Sequence, residues 1–216
     1  LWRPNNDTLR FYGPTRLRVG LTKSRNLVSI RVLQATGIPF ALDYIKRFGF
    51  GVADLPRTLS LALGAGLVTP LQTASGYAVF ANGGYRVQPY FIAKIADSNG
   101  KILFQANPPT ACEACIAQTQ GAITLPDTMA ERVINPQEAY LMTKALQGVI
   151  QHGTGHAARV LKRHDLAGKT GTTNDKVDAW FSGFNSDVVT TVWVGFDDST
   201  SMHEYGAQAA LPIWIN

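Results

Sequence analysis

Apolar residues recur at two periods along this chain, and the change of period divides it. Leu17 and Leu21 share a helical face, and Lys23-Ser24-Arg25-Asn26 breaks the pattern. LVSIRVLQA then resumes it as far as Gly37, so Thr15–Gly37 reads as helix, tight turn, helix. Pro39 opens a further helix, FALDYIKRF, which Gly49 closes. Thr69-Pro70 supplies an N-cap and first-turn proline for LQTASGYAVFAN, with Leu71, Ala74 and Ala78 expected on its apolar face and Gly83-Gly84 as its end. Residues 85–105 alternate apolar and polar around Asp97-Ser98-Asn99-Gly100, which predicts a hairpin. Residues 107–127, rich in proline, read as a long loop or insertion. Asn135-Pro136 caps PQEAYLMTKALQGVIQ, with Glu138 at the third position and Met142, Leu146 and Val149 at helical spacing. Then LAGKTGTT, VDAWFSGF and VVTTVWVGF, separated by turn-forming clusters, predict three successive antiparallel strands, and AALPIWIN begins a closing helix.

Composition narrows the class without naming a function. The 216 residues are 45% hydrophobic and 16% charged, a globular balance with ample material for a core. The net charge of +5 comes from basic residues spread along the chain, so nucleic acid is not indicated as a partner. LSLALGAGLVTPL is too short, and too rich in glycine and proline, to span a bilayer. The first residue is Leu1 and no signal segment precedes it, so a piece of a longer chain is expected.

The cysteines Cys112 and Cys115, in ACEAC, admit half a zinc site, a redox pair or a structural loop with or without a local disulfide. Zinc needs two further ligands, and His152 and His156 straddle a GTG that should not be helical, so no metal is expected. No strand runs from the CxxC into a helix, which weakens the redox reading.

The run LAGKTGTTN, Leu166 to Asn174, carries the candidate chemistry. A phosphate loop requires G-x-x-x-x-G-K-[ST], and the position of its first glycine is Arg163, so nucleotide binding is disfavoured. Hydroxyl-rich TGTT also favours a strand where a phosphate loop would begin a helix. The other reading is Lys169-Thr170-Gly171 on an edge strand facing a cleft, one of three signatures of serine acyltransferases together with S-x-x-K and a serine-x-asparagine element. Ser24-Arg25-Asn26 supplies the serine-x-asparagine element, in the expected order.

Beyond these motifs, the chain resembles the transpeptidase domain of class A, bifunctional penicillin-binding proteins. The likeness runs through RPNND, YGPTRLRVGLTKSRNLVSIRVLQATGI, LSLALGAGLVTPLQTASGYAVFANGGY, QGVIQHGTGHAAR and GKTGTTNDKVDAWFSGF. The CxxC after a proline-rich stretch is similar to what proteobacterial members carry. The resemblance implies an α+β fold of the penicillin-binding and β-lactamase-like type over residues 1–216, an antiparallel sheet packed by helices and here truncated at both ends.

It further implies DD-transpeptidation of peptidoglycan stem peptides at the periplasmic face of the inner membrane, inhibition by β-lactams, no cofactor, and membrane attachment only through an upstream anchor. An oxidising periplasm favours a disulfide between Cys112 and Cys115. Among the site residues, Lys169 is implied to lend positive potential, Thr170 and Thr172 to grip the substrate carboxylate, and Gly171 to let the donor peptide lie close. The Thr172 N–H is implied to form half of the oxyanion hole, Ser24 to relay a proton, and Asn26 to orient the nucleophile's lysine and the substrate amide. Asp178 and Trp180 read as structural.

One signature is missing. Ser98-Asn99-Gly100-Lys101 is the sole nominal S-x-x-K, and it sits in the predicted hairpin turn, after the serine-x-asparagine element. The family's nucleophile lies upstream of the RPNND-like segment, so the isolated chain is expected to be inactive and to expose an uncovered sheet edge. A non-catalytic module that holds stem peptide or a partner remains the alternative.

Overall fold

The computed structural model describes residues 2–111 and 129–216, so Cys112, Cys115 and most of the expected 107–127 insertion lie outside the described residues. Helices come first. They are α1 (Leu17–Thr22), α2 (Asn26–Thr36), α3 (Ile38–Ile45, continuing as a 3-10 turn through Phe48) and α4 (Pro70–Ala81). Four short strands follow: β1 (Tyr85–Arg86), β2 (Lys94–Ala96), β3 (Ile102–Gln105) and β4 (Glu131–Arg132). The long helix α5 (Pro136–His152) leads through a 3-10 segment into β5 (Ala167–Thr172), β6 (Asp178–Phe184) and β7 (Val189–Gly195), and α6 (Ala210–Ile215) closes the chain.

The helix boundaries follow local chemistry. Gly37 and Gly49 take positive φ, 91° and 88°, at the ends of α2 and of the α3 extension, where a side chain would be strained. Both predicted proline caps are full capping boxes: Thr69 with Gln72 on α4, and Asn135 with Glu138 on α5.

The three strands of the last third form one antiparallel sheet in the order β5-β6-β7, with Lys169 opposite Ser182 and Thr170 opposite Phe181. Leu166, Ala179 and Phe181 on one side of this sheet pack with Ile150 of α5 and Ala210 and Leu211 of α6. Ala167 and Phe184 meet Leu146 of α5, with Leu21, Tyr77 and Phe80 around them. β5 is thus gripped by two clusters and placed at the sheet edge.

Three expectations need correction. The buried face of α4 carries Gly76 and Val79, while Leu71 is exposed, because Gly76 lets the Phe50 ring lie where a Cβ would stand 2.7 Å from it. On α5 the buried residues are Ala139, Leu146, Val149 and Ile150, and Met142 stays outside the buried set at 38% exposure. The hairpin spans only β2 and β3, around an Asp97 carboxylate that accepts from Asn99 N and Lys101 N, both at 2.9 Å. Tyr85 leaves it: β1 pairs with β4, where Tyr85 is buried and its hydroxyl accepts from Arg132 Nη2 at 2.8 Å.

Gly168 shows how tightly β5 is seated. A Cβ there would stand 2.8 Å from both Phe181 Cζ and the Ser182 carbonyl. Gly168→Ala is expected to destabilise the protein by about 1–3 kcal/mol, read as a lower urea midpoint. Gly51→Ala, with nothing within 4 Å of the added carbon, is the control. Equal midpoints would contradict the packing argument.

Candidate active site

Ser24 occupies a position where glycine would be the relaxed choice. Its N–H donates to the Leu21 carbonyl at 3.1 Å and the Arg25 N–H donates to the Gly20 carbonyl at 2.8 Å, the two bonds of a Schellman ending to α1. The motif requires a left-handed residue at its centre, and Ser24 adopts φ 52°. A β-carbon in that region is disfavoured, so local backbone chemistry does not account for the serine. Its hydroxyl does. Lys169 Nζ donates to Ser24 Oγ at 2.9 Å, joining the α1–α2 turn to the edge strand.

The turn is held from two sides. A Cβ on Gly20 would stand 2.6 Å from Val28 Cγ1, so α1 and α2 cross at close range there. Asn6, buried, acts as a cap brought in from the RPNND segment: its Oδ1 accepts from Leu27 N at 3.2 Å and its Nδ2 donates to the Arg10 carbonyl at 2.8 Å. Asn26 opens α2 rather than lying in the turn, and its Nδ2 donates to the Asn5 carbonyl at 3.1 Å. That leaves the Asn26 carbonyl oxygen for another group.

On β5, Lys169 and Thr170 leave the strand on opposite faces, as consecutive strand residues must. The lysine curls back at the edge. Its Nζ donates to the Thr170 carbonyl at 2.9 Å and stands 3.5 Å from Thr170 Oγ1. Burial lowers the Lys169 ammonium from its usual 10.5 to about 8. Thr172 Oγ1 accepts from the Gly206 N–H at 3.0 Å, so its own proton stays free to donate. Gly206 can come this close only without a side chain, since a Cβ would stand 2.2 Å from the Gly171 carbonyl.

Asp178 and Trp180 make contacts within the sheet, between β6 and β7. Asp178 Oδ1 accepts from Trp193 Nε1 at 2.8 Å, and the Trp180 and Trp193 rings lie 6.3 Å apart. The structure thus brings Ser24, Lys169 and Thr170 together, with Gly171 and Thr172 following on the same strand and Asn26 following Ser24 at the start of α2. Ser98 sits in the exposed hairpin turn. Among the described residues no group of His, Cys, Asp or Glu is placed to hold a metal, and no helix is long and apolar enough to cross a membrane.

Two participants escape sequence reading. Thr154 Oγ1 lies 2.7 Å from Thr170 Oγ1, and the Thr154 N–H donates to the Thr22 carbonyl at 3.3 Å. Gly206 is the other. The signal for Thr154 was a polar residue between two glycines directly after a helix, and it reads as loop chemistry until the neighbours are known.

Helices enclosing an antiparallel sheet, with a Lys-Thr-Gly edge strand meeting a Ser-x-Asn turn, place this chain in the penicillin-recognising class of α+β folds. The chain belongs to the family described as penicillin binding protein transpeptidase domain, whose sequence profile matches residues 2–214. It is 50% identical to penicillin-binding protein 1A of Pseudomonas aeruginosa, over 100% of this chain and 30% of that protein. It is 47% identical to penicillin-binding protein 1A of Neisseria lactamica, over 100% of this chain and 25% of that protein. The crystal structure of penicillin-binding protein 1A from Haemophilus influenzae superposes with a TM-score of 0.89 at 41% identity, covering 99% of this chain and 35% of that one. A Mycobacterium tuberculosis protein solved with penicillin V shares the fold, with a TM-score of 0.74 at 22% identity, over 97% of this chain and 57% of that one. The chain spans 30% or less of the length of these two curated relatives.

The lowered Lys169 sets a sign for pH. In the unfolded chain this lysine keeps its proton up to about 10.5, whereas the folded site releases it near 8. Between those values the unfolded state binds more protons, so folding stability contributed by this group rises with pH. Relative to Lys169→Met, the native protein should therefore gain in urea midpoint from pH 8 to 10.5. A difference that stays flat across that window would rule out a desolvated lysine of lowered proton affinity.

Proposed function

We propose that this chain forms the carboxylate-gripping and proton-relaying part of a peptidoglycan DD-transpeptidase. The observation that carries the reading is the 2.9 Å contact from Lys169 Nζ to Ser24 Oγ, which unites the Lys-Thr-Gly and Ser-x-Asn elements. The nucleophilic serine belongs to an S-x-x-K segment upstream of residue 1 in a longer protein. Its hydroxyl attacks the D-Ala-D-Ala carbonyl, the carbonyl carbon–nitrogen bond breaks, and D-Ala leaves with a proton delivered to its nitrogen. An amine of a neighbouring stem peptide then takes the acyl group and frees the serine. The steps need no metal or cofactor, and β-lactams imitate the donor.

The Lys169 ammonium supplies positive potential to the donor's terminal carboxylate and to the nucleophile. Thr170 and Thr172 donate hydroxyl bonds to that carboxylate, and the free proton on Thr172 supports this. Gly171 lets the donor peptide lie along the strand edge as an added strand. The Thr172 N–H provides half of the oxyanion hole, the serine's own N–H the other half. Ser24, within reach of Lys169, relays the proton to the leaving nitrogen, and Asn26 offers its carbonyl oxygen to the nucleophile's lysine or the substrate amide. The longer protein would carry a glycosyltransferase region and a membrane anchor upstream, with this part in the periplasm. A non-catalytic stem-peptide binder of the same fold is the second reading, favoured by the absence of an S-x-x-K outside the exposed Ser98 turn.

Labelling with a fluorescent penicillin separates them. The full-length parent should form a denaturation-resistant adduct, the 216-residue chain alone should not, and Lys169→Ala in the parent should slow acylation by about 100-fold or more. An adduct on the isolated chain would reveal a nucleophile within it. Normal acylation of the lysine variant would remove the anchor role, and an unlabelled parent would favour the binder.

A further inference from the structure

A hydroxyl has one proton, and the proposed grip on a carboxylate requires Thr170 to spend that proton outward. Two hydroxyls 2.7 Å apart, Thr154 Oγ1 and Thr170 Oγ1, must settle which of them donates to the other. If Thr170 donates to Thr154, it has nothing left for an anion. If Thr154 donates to Thr170, the Thr170 proton is free. The Lys169 ammonium, 3.5 Å from Thr170 Oγ1, takes at most one of its two lone pairs and does not decide between the two arrangements, whereas a bound carboxylate does: it can only accept, so it draws the Thr170 proton outward and leaves Thr154 to donate to Thr170.

We propose that Thr154 is a positioning residue that makes Thr170 an outward-facing donor and so sets the site's preference for ligands bearing a carboxylate. The inference rests on the transpeptidase reading and deepens it. Thr154 is itself fixed by backbone geometry rather than by chance rotation. Its N–H donates to the Thr22 carbonyl, and the preceding Gly153 approaches that same carbonyl so closely that a Cβ would stand 2.2 Å from it. Gly153 and Gly155 both donate their N–H groups to the Val149 carbonyl, which closes the loop at the end of α5. Thr22 is buried and lies two residues before Ser24, and Lys23 Nζ donates to the His152 carbonyl beside the loop. One residue is therefore held by the turn that bears Ser24 while its hydroxyl addresses the strand that bears Lys169 and Thr170. Displacing either wall changes the hydrogen bond to Thr170.

The test compares acylation of the full-length parent by benzylpenicillin and by its methyl ester, which lacks the charged carboxylate. Thr154→Val should slow acylation by benzylpenicillin about 10-fold, the effect of one lost hydrogen bond to a charge-binding group. With the ester the change should stay within about twofold, and Thr154→Ser should restore the rate with benzylpenicillin. The loss should disappear when Thr154→Val is placed in a Thr170→Val background, since the effect runs through that hydroxyl. Thr154→Ala is carried through the same cycle in case the valine variant does not fold. Equal losses with both ligands, a loss that persists without the Thr170 hydroxyl, or no loss at all would each overturn the proposal. A wild-type parent that neither ligand acylates would bring down the transpeptidase reading and this inference with it. A labelled wild type with an unaffected Thr154→Val removes this inference alone.

Discussion

The contact on which the site depends is a lysine ammonium held 2.9 Å from a serine hydroxyl 145 residues earlier in the chain. It can form only if a short helical turn and a sheet edge are both rigid and both placed to within a fraction of an ångström. The structure meets that demand with close backbone approaches rather than with ion pairs. Gly20 seats α1 on Val28, Gly153 seats the end of α5 on Thr22, and Gly168 seats β5 against Phe181 and the Ser182 carbonyl. At each of these points a methyl group would force packed elements apart.

The cost of that placement is local. Ser24 stands in a left-handed position that glycine would fill without strain, and Lys169, half-buried, loses enough hydration to lower its proton affinity. Neighbouring structure holds both in place. The Schellman bonds hold the turn, Asn6 caps α2 from a distant segment, and the two apolar clusters grip β5 from both sides. The scaffold and the site are therefore the same set of contacts seen from different ends.

Much of this was legible in the order of residues, and the reason is physical range. The capping boxes at Thr69 and Asn135, the stops at Gly37 and Gly49, the Asp97 turn and the three closing strands all depend on partners a few residues away, so short stretches encode them. The misread features depend on distant partners. The face of α4 was turned by Phe50 lying over Gly76, Tyr85 left its neighbouring hairpin to pair with Arg132, and Met142 remained outside the core although its spacing fits the buried stripe.

The same division runs through the site. By itself the sequence determined the Lys169-Thr170-Gly171 strand, the Ser24-Arg25-Asn26 element and their order, because these side chains and their local backbone shapes are written in adjacent residues. Only the tertiary structure decided that Lys169 reaches Ser24, that Gly206 engages the Thr172 oxygen, and that Thr154 lies against Thr170. Those contacts join segments from 16 to 145 residues apart. A hydrogen bond across such a span is set by how the intervening core packs, and no short pattern of residue types carries that information.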